Sequence, residues 1–553
     1  MKRKNIYKAI IALSLPLWGL GGFSSCSDSW SDHFEMEGTN GDATLLQLVE
    51  KNPQLSDFHT VLKATHVYNN NHRTGKTFAD LLGSDQTLTV WAPVNGSFNV
   101  DSLLTLCQTE KGDSAVGLHF VMNHVAHNLY NMNMDTDDQV KMLNGKPLSL
   151  GAKTLDEAEV KQGSYNQPAT NGLLHVVETE VPYAYNIYEG LTTMEEFSHI
   201  GDFLSHFERQ ELDEEQSIQA GLVDGRKVYS DSVMVKDNAL FRVFDQIMSE
   251  DSTFTMLVPD RSTWETVYQE AKKYFNYAGI EKADSVSEYW TCVSLARDLI
   301  FNRRVQRSEK DSIFSTSYKT EEWPYHVFYK PFEAGGLMDA NNIKDSLRCS
   351  NGLIYRLKKW PFTAEDIYFR PVVEQGEREA SIIDYKDCTF NYRLAIGDSI
   401  SGNGYVDIVP RTSTSNWTVT YEIGGTLSGT YDLYAVVLPK TVYLSNSRDT
   451  KPNKWKTTVT YVDEKGEKQT EMFSEEVESD GVHVDTVLLG RVTLPVCSYG
   501  QQDATLNVQL RCYVSSRQTQ YSREMFLDCI YLKPVSDDEE AALEAKQRKE
   551  VRK

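Results

Sequence analysis

The sequence predicts an α+β protein: two related domains of mixed helix and strand, then an all-β domain of sandwich or jelly-roll type. Three observations carry this. The 553 residues exceed what one core holds, at about 100–200 residues per domain. A pattern of strand, turn, helix and strand that opens at Thr89 returns in the same order from Thr255. From Asp366 onward, short strand-like runs replace helical spacing. The boundaries that follow are a leader over 1–25, a polar tether over 26–39, domains over 40–185, 186–364 and 365–535, and a charged helical tail over 536–553.

The leader comes first. Lys2, Arg3, Lys4 and Lys8 form a basic head, Ala9 to Leu20 is apolar, and small residues lead into Phe23-Ser24-Ser25-Cys26. This is the layout of a secretory signal peptide, and it is too short for a membrane span. A cysteine after small residues resembles a bacterial lipobox, with Phe23 where Leu is usual. The resemblance implies cleavage before Cys26, acylation of its thiol and anchoring in outer-membrane lipid. The acidic, serine-rich run Ser27 to Glu35 resembles the surface-export signal of Bacteroidetes lipoproteins, which implies a cell-surface location.

In the first domain, Leu45, Leu48, Val49, Leu55, Phe58, Val61 and Leu62 recur at helical spacing, with Pro53 dividing two short helices. Leu88 to Pro93 reads as an apolar strand stopped by proline. Phe120 to His127 reads as a helix, Asn144-Gly145 as a hairpin turn, and Leu173 to Val177 as a strand led by Asn171-Gly172. The runs Thr89-Val90-Trp91-Ala92-Pro93-Val94-Asn95-Gly96-Ser97-Phe98 and Asn171-Gly172-Leu173-Leu174-His175-Val176-Val177-Glu178 resemble the opening and closing boxes of the fasciclin-like (FAS1) family. That resemblance implies a β-wedge flanked by helices, used in adhesion. The tyrosine of the family's receptor-binding Tyr-His pair is absent, Asn123-His124 standing there, so that activity is not carried over. His124 and His127 lie one turn apart on the expected helix, with no third ligand nearby, and read as structural or solvated.

In the second domain, Thr255 to Trp264 aligns without a gap on Thr89 to Phe98, and Asn351 to Tyr355 aligns on Asn171 to His175. Leu240, Phe241, Val243, Phe244, Ile247 and Met248 predict the preceding helix. This copy reads as a divergent FAS1-like domain, with Glu211 to Tyr229 an exposed excursion. In the third domain, strands are expected at Tyr405–Val409, Trp417–Ile423, Tyr431–Leu438, Thr457–Val462, Thr486–Leu494, Ala504–Val514 and Phe526–Leu532. The segments from Ser428 to Tyr434 and from Leu527 to Leu532 resemble carbohydrate-binding jelly rolls. Tyr405, Trp417, Tyr421 and Tyr434 are the candidate sugar-stacking residues, the alternative being that they are core. In the tail, Ser536 and Glu539 form a capping box, and Lys549, Arg552 and Lys553 suit a helix C-terminus.

A net charge of -23 excludes a nucleic-acid binder and docking on anionic lipid heads. No cofactor motif and no metal spacing is present. Besides Cys26 there are seven cysteines, of which Cys388, Cys497, Cys512 and Cys529 offer pairings within the last domain or remain buried thiols. Gly397-Asp398-Ser399 with Asp480 and His483 resembles the boxes of GDSL-type hydrolases, but the interval is strand and turn rather than alternating helix, so no catalytic residue is assigned. The expected function is non-catalytic adhesion or assembly at the cell envelope through the FAS1 domains. The alternative is an accessory glycan-binding lipoprotein of an outer-membrane nutrient-uptake system, with an undetected hydrolase third.

Overall fold

The computed structural model describes residues 41–536, except 70–71, 133–137, 224–225, 309, 316–325, 328–331, 395–399, 403 and 443–446. The leader with Cys26, the tether, Ser399 and the tail beyond Ser536 lie outside the described residues. The chain divides into two compact units, Met1–Tyr183 and Ala184–Lys553. It is a mixed α and β protein with a β-sandwich in its C-terminal part. No helix among the described residues is long and apolar enough to cross a membrane.

The first unit opens on helix Leu45–Lys51. Thr44 caps it and Gln47 completes the capping box. Helix Ser56–Ala64 buries Phe58, Val61 and Leu62, the residues that its 3.6-residue period aligns. The central sheet runs in the order Val125–His127, Leu88–Pro93, Gly172–Val177, Gln167–Ala169. Its two middle strands are parallel and in register from Leu88 opposite Gly172 to Pro93 opposite Val177. Both are buried on both faces, which is why they read as continuous apolar runs. The helix expected over Phe120–His127 ends early. Its last turn covers Met122–His124, and the β-branched Val125 starts a strand that pairs with Val90.

In the second unit the same sheet recurs: Ile300–Phe301, Phe254–Val258, Gly352–Leu357, Ile343–Cys349, with the middle pair again parallel. A matching set of polar residues fastens the two sheets. In the first, Leu45 N–H donates to Asn171 Oδ1 at 2.8 Å, and Asn171 Nδ2 donates to the carbonyls of Leu82 and Ser84. In the second, Ile187 N–H donates to Asn351 Oδ1 at 2.9 Å, and Asn351 Nδ2 donates to the carbonyls of Ile247 and Ser249. Thr89 donates to Asn128 O and accepts from Tyr130 N–H. Thr255 does the same with Arg303 O and Val305 N–H. A Cβ at Gly172 would sit 1.8 Å from Leu88 O, and one at Gly352 would sit 1.9 Å from Phe254 O. Only glycine allows those strands to approach so closely.

Two expectations for this copy change. The excursion at Glu211–Tyr229 belongs to a long two-stranded ribbon, Glu208–Val223 against Arg226–Asn238. The helix expected over Leu240–Met248 is one turn, Phe241–Phe244, ended by Asp245 at φ 70°.

The sandwich packs two sheets around Val406, Ile408, Val419, Tyr431, Leu433, Trp455, Val508 and Ile530. In one sheet, Met525–Pro534 has Gly429–Leu438 along one edge and both Val372–Gln375 and Gly404–Pro410 along the other. The other sheet runs Ile382–Lys386, Thr418–Ile423, Leu506–Cys512, Lys454–Val462, Lys468–Met472. The second repeat is joined to the sandwich by its own side chains. Phe275 and Tyr277 lie in the sandwich core. Asn276 donates to Ser428 Oγ and Pro495 O, and Tyr277 OH donates to Tyr499 O. A buried ion pair joins Asp298 to Arg370 at 3.1 Å, and Ser315 donates to the same carboxylate.

Candidate ligand-binding surface of the sandwich

Three of the four candidate stacking residues are interior, which corrects the expected platform. Tyr405 and Tyr421 are 0% exposed and Trp417 is 1% exposed. Trp417 Nε1 donates to Arg523 O at 2.6 Å, and Tyr421 OH donates to Gly376 O at 3.0 Å. Tyr405 packs against Phe526 in a small cluster with Ile400 and Leu438. A sugar has no access to these faces. Tyr434 is half-buried and leans on Tyr531, with centroids 6.0 Å apart. The physical reason is alternation: Val419, Tyr421 and Ile423 point inward while Thr418, Thr420 and Glu422 point away.

Two exposed aromatics, Tyr385 and Tyr392, lie on edge strands that sequence reasoning passed over, Ile382–Lys386 and Cys388–Leu394. Asp387, at φ 56°, turns the chain between them. The first strand pairs with Thr418–Ile423 in one sheet, the second with Gly404–Pro410 in the other. Cys388, Phe390, Tyr392 and Leu394 share one face of the second strand. Along it exposure rises from 1% at Cys388 to 45% at Tyr392 and 81% at Leu394. Phe390 and Tyr392 are near-parallel, 6.4 Å apart at 29°, and Tyr385 meets Phe390 edge-on at 5.0 Å. Tyr385 is 56% exposed.

Polar groups lie beside this strip. Partial burial, with the charge of Glu379 and the neighbouring Tyr385, pushes the Tyr392 phenol up. Glu374, on the strand Val372–Gln375, is buried and closed to a ligand; burial pushes its carboxyl up to about 7 against the hydrogen bond from Ser381 and the charge of Arg378. The strip therefore offers apolar ring faces with the Tyr392 phenol and the exposed Glu379 carboxylate at its margin. That combination takes ligands with one apolar and one hydroxylated side. The alternation in Cys-Thr-Phe-Asn-Tyr-Arg-Leu is the signal that would have found it.

The other sequence-marked groups are structural or exposed. Gly397, Asp398 and Ser399 lie outside the described residues. His483 is 77% exposed and holds Asp480 Oδ2 at 2.8 Å on a surface turn. His124 is buried: its Nδ1–H donates to Phe120 O and its Nε2 accepts from Val181 N–H, so both nitrogens are used within the protein. His127, on a strand rather than one helical turn away, is exposed. The seven described cysteines are free thiols. Burial pushes Cys497 and Cys529 up to about 12 and Cys388 and Cys512 up to about 11. Among the described residues no group of three or more His, Cys, Asp or Glu is placed to hold a metal ion.

No family model matches the chain, and no curated protein matches it. Among solved structures it is similar to part of the CBM22-1–GH10 modules of Clostridium thermocellum endo-1,4-β-D-xylanase 10B, complexed with xylohexaose. That match has 14% identity and TM-score 0.20, covering 30% of this chain and 28% of that one. A family 35 carbohydrate-binding module from Clostridium thermocellum matches with 14% identity and TM-score 0.19, covering 30% of this chain and 99% of the module. A family 35 module from Cellvibrio japonicus Abf62 gives 14% identity and TM-score 0.18, over 30% and 95%. At these scores the ligand has to be read from the residues of the site itself.

Proposed function

We propose that this chain is a non-catalytic, envelope-anchored accessory protein that binds glycan at the sandwich edge formed by Tyr385, Phe390 and Tyr392. The observation that carries the reading is a pair of exposed tyrosines on two edge strands with the half-buried Phe390 between them, near-parallel to Tyr392. An exposed tyrosine pays for no buried packing, and a sugar's C–H face stacks on such rings while its hydroxyls reach the flanking phenol and carboxylate groups. The test is a glycan array followed by titration calorimetry with the best polysaccharide. Tyr385→Ala with Tyr392→Ala should lower affinity at least about tenfold, at about 1–3 kcal/mol per stacked ring by analogy with aromatic stacking of bases. The thermal midpoint should hold, because both rings are exposed. Unchanged glycan affinity in the double variant would sink the proposal.

Adhesion or assembly through the two repeats is the second reading. The repeated hydrogen-bond frame at Asn171 and Asn351 favours it, because that frame is built on the boxes that resemble the fasciclin-like family. Both readings include an acyl anchor at Cys26 that holds the chain on outer-membrane lipid. Cys26→Ala should release the protein from the membrane fraction, and retention there would remove the anchor from the proposal.

A further inference from the structure

The helical face of the second repeat holds a cleft of about 620 Å³, within the size range of small-ligand sites. Three elements wall it: helix Ser198–Ser205 with the two residues that follow, helix Arg261–Lys272, and helix Ala283–Ala296. Its apolar lining is aromatic. Trp264 is buried, and Phe203, Phe207, Tyr268 and Tyr289 are half-buried. Phe207 meets Phe203 at 5.3 Å and Tyr289 at 5.4 Å, both edge to face.

The charged lining is of one sign. Asp202, Glu265 and Glu288 are exposed at the rim beside His206, and among the described residues no lysine or arginine lines the cleft. His199 also lines the cleft. Its Nε2 meets the Pro259 carbonyl at 2.9 Å, so that nitrogen carries the proton and donates. Nδ1 is then a lone pair, buried and without a hydrogen-bond partner among the described residues. Burial also holds this imidazole below its usual titration range, against the pull of that carbonyl. One ring already meets a cation: the Lys272 ammonium lies over Tyr268, 5.8 Å from its centroid.

We infer that this cleft binds an organic cation, an alkylammonium or guanidinium group, between the Trp264, Tyr268 and Tyr289 rings and the Glu265 and Glu288 carboxylates. A ring face attracts a cation through its quadrupole, and carboxylates at the rim add attraction that a neutral ligand does not feel. An anion would meet three like charges and π faces, with Lys272 over Tyr268 the one cation described beside them. The site is separate from the aromatic strip on the sandwich and stands whether or not that strip takes glycan. The same group occurs on free amines and on lysine or arginine side chains, and the cleft recognises the chemistry they share.

The test is calorimetry on the full-length chain with choline, its uncharged isostere 3,3-dimethyl-1-butanol, agmatine, and a short lysine-containing peptide. Choline or agmatine should bind and the isostere should not. Glu265→Gln with Glu288→Gln keeps shape and removes charge at two exposed positions, so folding should be unaffected while affinity falls about tenfold. Lys272→Gln removes the resident cation over Tyr268 and should tighten binding. A peptide that outbinds the free amines assigns the site to a protein partner; the reverse order assigns it to a soluble amine. Equal binding of choline and its isostere would overturn the inference. So would unchanged affinity in the double glutamine variant, or no cation binding at millimolar concentrations.

Discussion

In the first repeat, Asn171 ties the opening helix and the segment after Leu82 to the central sheet; in the second, Asn351 does the same for Ile187 and the segment after Ile247. Even the side chain on the neighbouring strand position serves alike, His175 reaching Tyr130 O and Tyr355 reaching Val305 O. What lies outside that frame differs. The helices after the opening strand are Val100–Leu106 and Glu110–Val116 in the first copy, seven residues each. In the second they are Arg261–Lys272 and Ala283–Ala296, of twelve and fourteen, and they wall the cleft. The hairpin His66–Asn69/His72–Thr77 is short and holds buried Asp113 through His66 and Arg73. Its counterpart is the long ribbon, whose ion pairs Lys227–Glu214 and Arg209–Asp237 are exposed or half-exposed. The lesson is that a few buried polar residues and one glycine per copy define the sheet, while helices and hairpins vary with what each copy meets.

The largest expected effect breaks the frame itself. Asn171→Ala and Asn351→Ala each leave one backbone N–H and two carbonyls without their side-chain partner at a buried position. Each should cost about 1–3 kcal/mol, the range for unsatisfied buried groups. If the two copies share one frame, the two losses agree to within about 1 kcal/mol in chemical denaturation. A loss confined to one copy would mean that the shared geometry stabilises only one of them.

Which parts of this were legible beforehand follows from what each residue packs against. The boxes at Thr89 and Thr255 were readable because strands buried on both faces carry uninterrupted apolar runs bounded by Pro93 and Pro259. Among the sandwich strands, Thr418–Ile423, Lys454–Val462 and Leu506–Cys512 were readable because their inward positions alternate, and Gly404–Pro410 and Met525–Pro534 because they are apolar and buried on both faces. Lys468–Met472 was not, because it is an exposed edge strand with a polar sequence. The aromatic strip was missed for the same cause: on Cys388–Leu394 only the first residue is buried, so the segment lacks a core signature. Tyr405, Trp417 and Tyr421 misled in the opposite direction. A tyrosine or tryptophan with a polar tip reads as interfacial, but Arg523 O and Gly376 O satisfy two of those tips inside the core. The cleft was not legible at all, because His199, Trp264 and Glu288 come from three helices far apart in the chain.

The smaller effect is a response to acid that differs between the two units. In the first, burial holds His124 and His175 down at about 4, against 6.5 for a free imidazole, although the carbonyls of Phe120 and Tyr130 pull each up. The folded unit therefore binds protons less readily than the unfolded chain at these sites. Their contribution is intact above about 6.5 and is lost as pH falls toward 4. From pH 7 to pH 5 each histidine should cost about 1–2 kcal/mol. His59 shifts in the same direction, and Glu180, raised by burial, works against it. In the second unit Tyr355 replaces His175, and the dominant group is Glu374, at about 7 against an ordinary 4.5. There the folded state binds the proton more readily, so stability is fullest below 4.5 and falls as pH rises toward 7. Asp407 and Asp528, both raised by burial, add to that sign, and His199 opposes it. Hydrogen exchange at pH 7 and pH 5, corrected for the intrinsic rate, should show Leu88–Pro93 losing protection while Gly429–Leu438 holds or gains. His175→Tyr, which copies the second repeat's residue, should flatten the response of the first unit by about half if the two histidines contribute equally. Equal loss of protection in both strands would show that the histidines are not what sets the units apart.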